Sequence, residues 1–322
     1  MIKRYAIGKG MILNSDARDS NPLWIHMIDP DEEEVDWGKR HFGLKSSFVY
    51  DALDVNETSR MEVGEGQLRI LINIPYKEEK GKFVSYNTVP LGMVLTERTL
   101  FTVTLRENEI VDKVAESKRD DLTDKVRLMF HMMNETVSYF LKYLKEIENE
   151  STVIEDYVNK SLKNEELIKL LHLEQSLVFF STALRSNETV LQKCLDLYNS
   201  KEVNERSNTV KNMIKISGEH KENFKEVMIE SRQAIALIDI YTNTLSNTMD
   251  VFASMISNNL NIVMKFLTIV TITLAVPAIV TSYYGMNIYL PFQDHPYMYL
   301  WIIVLSFVIA VVVAFLIGKK KF

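Results

Sequence analysis

Three patterns of apolar and polar positions succeed one another along the chain. The first covers about 105 residues and alternates charged stretches with short runs rich in Val, Ile, Thr and aromatics. Pro22–Ile28, Gln67–Ile74, Phe83–Tyr86 and Leu100–Leu105 read as strands. Between them, Asp29-Pro30-Asp31-Glu32-Glu33-Glu34 reads as a helix start, with proline near the first turn and acids at the positive end of the helix dipole. The second pattern begins near Asp121. Residues 121–200 contain neither Pro nor Gly, and Val126, Met129, Phe130, Met133, Val137, Phe140, Leu141 and Leu144 recur at helical spacing. After a break near Asn199–Ser207, a last helical run starts near Gly218 and meets no further Pro or Gly before Pro277.

The third pattern is apolar. Residues 266–293 carry no charged side chain, and 295–318 carry none apart from His295. Each stretch exceeds the ~20 residues that cross ~30 Å of hydrocarbon as a helix. The spans fall at roughly 264–283 and 298–317, joined by about a dozen residues, so the chain predicts a helical hairpin across a bilayer. Lys265 stands at the start of the first span and Lys319–Lys321 end the second. Basic residues mark the cytoplasmic side, which puts both termini in the cytoplasm and the loop 284–297 outside. Topology alone is equally compatible with a tail anchor tethering a cytosolic domain.

The helix approaching the membrane carries an unusual stripe. Asn243, Asn247, Asp250, Ser254, Ser257 and Asn261 follow at spacings of 4, 3, 4, 3 and 4. That is a heptad seam, which normally is apolar because it faces a partner helix. The same spacing continues through Met264, Thr268, Thr271, Ala275, Ala278 and Ser282. Polar groups left unsatisfied in hydrocarbon cost several kcal/mol each, so such a seam calls for water beside it. Several copies of the helix around a wet axis meet that need. In the membrane half, Thr and Ser bonding their own backbone, with small residues allowing close packing, is the alternative. It does not account for Asp250, Asn261 and the polar positions below. Pro277 predicts a kink inside the first span.

Charge changes the picture of the remainder. The chain of 322 residues has a net charge of −6; four of its 37 Lys/Arg and one of its 43 Asp/Glu fall in 264–322, which leaves the first 263 residues at −9. An acidic soluble part argues against nucleic-acid binding, which needs clustered positive charge, and suits a protein that meets cations. One cysteine, Cys194, gives no intrachain disulfide and fits a reducing cytosol. The six histidines are scattered, with no zinc-ligand spacing. The N-terminal ten residues have no apolar core of signal-peptide length. Gly64-Glu65-Gly66 lacks the Lys-Ser/Thr ending of a phosphate loop, and no nucleophile–base set stands out, so the sequence does not read as an enzyme.

The first span ends in Tyr283-Tyr284-Gly285-Met286-Asn287. Gly-Met-Asn after Tyr, at the outer end of the first of two C-terminal spans, resembles the signature of the CorA family of Mg²⁺ channels. The run Asn258-Asn259-Leu260-Asn261-Ile262-Val263-Met264-Lys265-Phe266-Leu267-Thr268-Ile269 resembles the family's approach to that span. The resemblance implies a homopentameric funnel of α+β class. Its parts would be a cytosolic α/β domain (1–120), long helices packed on it (121–217), the cytosolic part of a stalk helix (218–263) and a transmembrane hairpin with a basic tail (264–322). It further implies that Asn287 forms an outer ring for hydrated ions, with Gly285 permitting a tight turn and Met286 shaping it. Asn261 would form a polar ring at the inner mouth, Met264 and Leu267 a hydrophobic gate, and Asp250 an acidic ring in the vestibule. Glu226 falls where the family has a regulatory metal ligand between subunits.

One segment departs from the pattern. The family's usual Met-Pro-Glu-Leu is replaced by Ile288-Tyr289-Leu290-Pro291-Phe292-Gln293-Asp294, so Asp294 is the one acid available for an outer negative ring. The expectation is therefore a plasma-membrane Mg²⁺ channel gated by intracellular metal, with no cofactor beyond the transported and regulatory cation. Its partners are its own copies, the bilayer and divalent ions. A Zn²⁺, Co²⁺ or Ni²⁺ transporter of the same fold, and a membrane-tethered scaffold that moves no ion, are the alternatives.

Overall fold

The computed structural model describes residues 1–8, 11–14, 24–80, 83–117, 125–158, 164–199, 218–286, 288 and 296–319. The N-terminal strands are β1 (Ile2–Gly8), β2 (Met11–Asn14), β3 (Trp24–Ile28), β4 (Arg60–Gly64), β5 (Gln67–Lys80), β6 (Phe83–Leu95) and β7 (Leu100–Thr104). They form one sheet in the order β2-β1-β3-β7-β6-β5-β4. Every neighbouring pair is antiparallel except β3 and β7, which run parallel at its centre. Two short helices, α1 (Glu32–Phe42) and α2 (Ser46–Asp51), cover one face. The other face is covered by α3 (Glu109–Ala115), α4 (Lys125–Val158), α5 (Asn164–Asn199) and the start of α6 (Gly218–Tyr284).

Burial on both faces explains the apolar reading of β3 and β7, all of whose residues are buried. Ile25, Met27, Phe101 and Val103 face Val35, Phe48 and Val49 of α1 and α2. Trp24 and Leu100 face the other cluster, with Leu128, Met129 and Met132 of α4. Alternate residues point to opposite sides, as the pleat requires. At Gly92 of β6 an added Cβ would lie 2.7 Å from the Cβ of Ala52, so α2 can lie this close only over a glycine. The expected helix start is confirmed: Asp31 caps α1 by accepting from the Glu34 N–H at 2.8 Å, and Glu34 completes the capping box.

β5 and β6 are longer than their apolar runs. Thirteen paired positions, Leu68–Lys80 with Leu95–Phe83, carry both strands through Pro75, Pro90 and Gly92. β4 stops at Arg60, opposite Leu71, so the outer edge of β5 is bare of strand beyond that point. A helix side chain takes over there. The buried carboxamide of Asn187 on α5 accepts from the Asn73 N–H at 2.9 Å and donates to the Asn73 carbonyl at 2.8 Å. Ser176, also on α5, accepts from the Tyr86 N–H of β6 at 3.0 Å. Both contacts satisfy backbone groups that sheet pairing leaves orphaned.

By compactness the chain divides into two units, Met1–Met249 and Asp250–Phe322, and the boundary falls inside α6. The second unit comprises the rest of α6 and α7 (Met298–Lys319). The expected break near Asn199–Ser207 lies, from residue 200 on, outside the described residues.

His26 is 1% exposed on β3, and its Nδ1 lies 2.8 Å from the Thr102 hydroxyl, which also accepts from Trp24 Nε1 at 2.8 Å. An indole only donates, so the Thr102 hydroxyl accepts from Trp24, and the same oxygen is the hydrogen-bond partner of His26 Nδ1. Burial, then the charge of Lys3, lowers its pKa to about 4 from an ordinary 6.5. The unfolded chain therefore takes up a proton before the folded one does. This contribution to stability is complete above pH 6.5 and is lost as pH falls toward 4, to a total of about 3 kcal/mol. Unfolding midpoints measured from pH 7 to 4 should fall in the wild type, and a His26→Asn variant should lose that component of the slope.

Candidate ion pathway

α6 runs for 67 residues from the soluble unit to the signature. On its soluble length Ala234, Ile238 and Leu245 are buried, followed by Phe252. The last three are seven apart. At about 100° per residue, Asn243, Asn247, Asp250, Ser254, Ser257 and Asn261 lie on the roughly opposite side. All six are exposed. Met264, Thr268, Thr271, Ala275, Ala278 and Ser282 continue that line and are exposed too. The twelve positions keep an unbroken 4-3 alternation along one helix. A strict seven-residue repeat drifts against a 3.6-residue turn, and helices that keep it in contact coil left-handed about one another.

The hydroxyls within this line are arranged in one sense. Thr268 donates to the Met264 carbonyl and Thr271 to the Leu267 carbonyl, each at 2.8 Å. The back-bonding alternative thus holds for these two side chains. It does not hold for the amides and carboxylate below, for which a backbone bond of this kind is not seen among the described residues. A hydroxyl whose proton is spent on its own helix presents lone pairs outward. Such a surface accepts hydrogen bonds from water around a cation. Leu267 is 55% exposed, one position off the seam beside Thr268.

At the outer end, Gly285 N–H donates to the Thr281 carbonyl at 2.9 Å, and Met286 is exposed. Gly285 lies in a turn that closes the helix. Gly285 is not among the residues with positive φ; a Cβ there would sit 3.2 Å from the Thr281 carbonyl oxygen. Close approach to the last helical turn is the constraint. Asn287 and Asp294 lie outside the described residues. Pro277 stands inside α6 as expected.

By length and composition three helical segments are able to cross a membrane: Glu165–Leu197, Phe224–Tyr284 and Met298–Ile317. The first was not expected. It buries Leu170, Leu173, Leu177, Phe180 and Leu184 and carries Glu165, Glu166 and Lys169, so its apolar side is spent on the soluble core. α7 is apolar throughout and exposes Trp301, Phe307 and Phe315, while Ser306 and Ala310 are buried.

Glu226 is exposed on α6, one turn from Glu230. Burial, and then the charge of Glu226, holds the Glu230 carboxyl above its usual range. Among the described residues no three His, Cys, Asp or Glu side chains gather to hold a metal.

A model of the CorA-like Mg²⁺ transporter protein family matches residues 19–320. The chain belongs to that family. The cobalt/magnesium transport protein CorA of Methanocaldococcus jannaschii is 26% identical over 313 residues, covering 94% of this chain and 92% of that protein. The protein of the same name from Thermotoga maritima is 23% identical over 313 residues, covering 94% and 84%. The complete structure of the CorA magnesium transporter from M. jannaschii superposes with a TM-score of 0.77 at 23% identity, covering 100% of this chain and 98% of that one. The fold of a soluble α/β domain, long helices and C-terminal apolar helices is therefore that of a CorA protein.

Sequence reasoning missed how α6 is held within its own unit. Arg185 of α5 donates to both carboxylate oxygens of Asp239 at 2.7 and 2.9 Å, and Arg232 donates to Glu188 of α5 at 2.7 Å. The partners are 54 and 44 residues apart, beyond any local spacing rule.

If the seam faces a shared axis, its side chains meet between copies. Cys194, the chain's single cysteine, is half-buried, its thiol is pushed up to about 12 by that burial, and it gives an unreactive background. With a mild oxidant, Ser257→Cys should give covalent dimers on a denaturing gel. Ile256→Cys, one residue round the helix, should not.

Proposed function

We propose that this chain is the subunit of a homopentameric channel that passes divalent cations, Mg²⁺ foremost, down their electrochemical gradient into the cell. Divalent-cation transport follows from the family. The observation that carries the channel reading is the polar seam, exposed on one helix from Asn243 to Ser282 and lying, as far as Phe252, opposite a buried stripe. A seam of that length on an isolated helix has no dry environment that suits it. In the topology we propose, α6 beyond about residue 264 and α7 are the two spans, and both termini are cytoplasmic. Lys319 at the end of α7 supports this orientation.

Mg²⁺ keeps its water shell tightly. A ring of Asn287 carboxamides would accept hydrogen bonds from that shell without stripping it, and neutral amides release a dication more readily than carboxylates do. Asn261 would repeat this at the inner mouth. Between them, Met264 and Leu267 would close the pore by excluding water. Asp250 would concentrate cations on the cytoplasmic side. A dication entering down about 100 mV gains roughly 4.6 kcal/mol, so no chemical fuel and no enzymatic step is required.

The test is uptake of Mg²⁺ and Zn²⁺ by liposomes holding the purified protein under an inside-negative potential. Wild type should carry Mg²⁺, and Asn287→Ala should lose at least about tenfold, which corresponds to one charge-assisted hydrogen bond of about 1.5 kcal/mol. Uptake of Zn²⁺ without Mg²⁺ would shift the assignment to the Zn²⁺, Co²⁺ or Ni²⁺ class. An intact oligomer that moves neither ion, with low internal Mg²⁺, would sink transport and leave the tethered scaffold.

Gating by intracellular metal is part of the proposal, with Glu226 as a ligand shared between subunits. The raised Glu230 carboxyl beside it supports a site where added positive charge relieves repulsion. Glu226→Ala should raise the internal Mg²⁺ needed for half-inhibition. An unchanged inhibition curve would remove Glu226 from the regulatory site.

A further inference from the structure

α6 must hold one axial position if the gate residues of several copies are to meet at the same level. Apolar contacts, here Phe224, Val227 and Met228 in the core cluster, are non-directional and do not distinguish partners by charge. The two ion pairs between α5 and α6 add what apolar contacts lack. They are of opposite polarity: Arg185 of α5 binds Asp239 of α6, while Glu188 of α5 binds Arg232 of α6. A slide that moved either rung onto the other's partner would set Arg185 against Arg232 and Glu188 against Asp239. Reversed polarity therefore penalises displacement in both directions, which a pair of like-oriented bridges would not do.

α5 is itself fixed. Between the two rungs, at Asn187, its buried carboxamide is bonded to both backbone groups of Asn73 in the sheet. Eleven residues earlier Ser176 holds the Tyr86 N–H. The same helix thus grips the sheet on one side and α6 on the other, within one turn for the residues 185, 187 and 188. α4 adds a further tie, with Thr248 of α6 donating to Glu155 at 2.9 Å.

We infer that Arg185–Asp239 and Glu188–Arg232 form a register clamp, by which α5 sets the axial position of α6 and so the readiness of the pore to close. The inference rests on the channel reading above. α6 runs unbroken from the clamp to Tyr284, so a displacement at Asp239 is carried along the helix. Closing requires several copies to hold a common level, and losing the clamp weakens that state. Exposed ion pairs contribute little singly, about a two- to fivefold change in an equilibrium. Acting in every copy of a concerted transition, such factors multiply.

The experiment measures Mg²⁺ uptake by liposomes holding the full-length protein, against internal Mg²⁺, for Arg185→Asp, Asp239→Arg and the double exchange. Each single variant sets like charges together and should raise the half-inhibiting Mg²⁺ by at least about threefold, while maximal uptake stays within about twofold. The double exchange should restore the wild-type curve, which a merely structural role of either residue would not produce. Hydrogen exchange over residues 232–245 gives a readout independent of flux. It should quicken in the singles and recover in the double. Size-exclusion profiles identify any variant that has failed to assemble; for such a variant Arg185→Gln and Asp239→Asn replace it, with the same shift expected. Unchanged inhibition and exchange in the singles, or a double exchange that fails to recover, would overturn the clamp while leaving the channel reading intact. Absence of flux in the wild type would overturn both, even with a perturbed exchange pattern.

Discussion

A line of amides, hydroxyls and one carboxylate, Asn243 to Asn261, runs along a helix that leads straight into an apolar segment, and its polar groups need water beside them. An isolated helix in hydrocarbon cannot keep such a line hydrated, and a dry partner helix cannot satisfy it. Copies of the same helix around an axis place identical polar groups at equal depth and leave a column for water between them. The seven-residue repeat gives this arrangement its length, because it keeps one line facing the axis through a gentle left-handed coil. The same geometry frees the opposite line, Ile238, Leu245 and Phe252, for burial. One helix thus has a dry side and a wet side, and the chain gains stability only from the dry one.

The soluble unit is built to hold that helix from the dry side. Its sheet is covered on both faces, and the larger apolar cluster reaches α6 at Phe224, Val227 and Met228. α5 connects the two. It lies over the β5–β6 hairpin, whose edges outrun their neighbouring strands, and completes backbone pairing with Asn187 and Ser176. Bare strand edges are hazards that proteins cover. Here the cover is also the support for the ionic contacts to α6. Its apolar composition, long enough to pass for a membrane span, reflects this position between sheet and helices.

What the sequence made legible follows the strength of its periodicities. The seam and the spans were readable because their period persists for many turns and their composition is extreme. The start of α1 was readable because acids and a proline at a helix N-terminus are a local signal, and the structure adds that Asp31 is its cap. β6 was read only to Tyr86, since Asn87, Pro90 and Gly92 are poor strand formers; pairing with β5 overrides them, joined at Gly92 by pairing with β7. β1 and β4 escaped notice because Lys3, Arg4, Arg60 and Glu62 break their apolar alternation. Their strand state is set by neighbours rather than by intrinsic preference. Gly285 was found for its place in the signature, but the reason for glycine, the nearness of the Thr281 carbonyl, emerges only in three dimensions. The α5–α6 ion pairs join residues too far apart in sequence for any pattern to link them.

The chemistry along the seam bears on what it passes. Soft metals are held by thiolate and imidazole, and the seam has neither. Its ligands are oxygen atoms of amides and hydroxyls, with Asp250 the single charge. Thr268 and Thr271 have committed their protons to their own backbone, so toward the axis they act as acceptors alone. Acceptors without formal charge suit a cation that arrives with its water, whose outward hydrogens they can meet. They bind a bare dication poorly, because nothing among them repays the loss of its hydration shell. In the channel we propose, this surface would favour hydrated cations, and finer choice among dications would fall to the loop 288–294, where the sequence departs from the family's usual pattern.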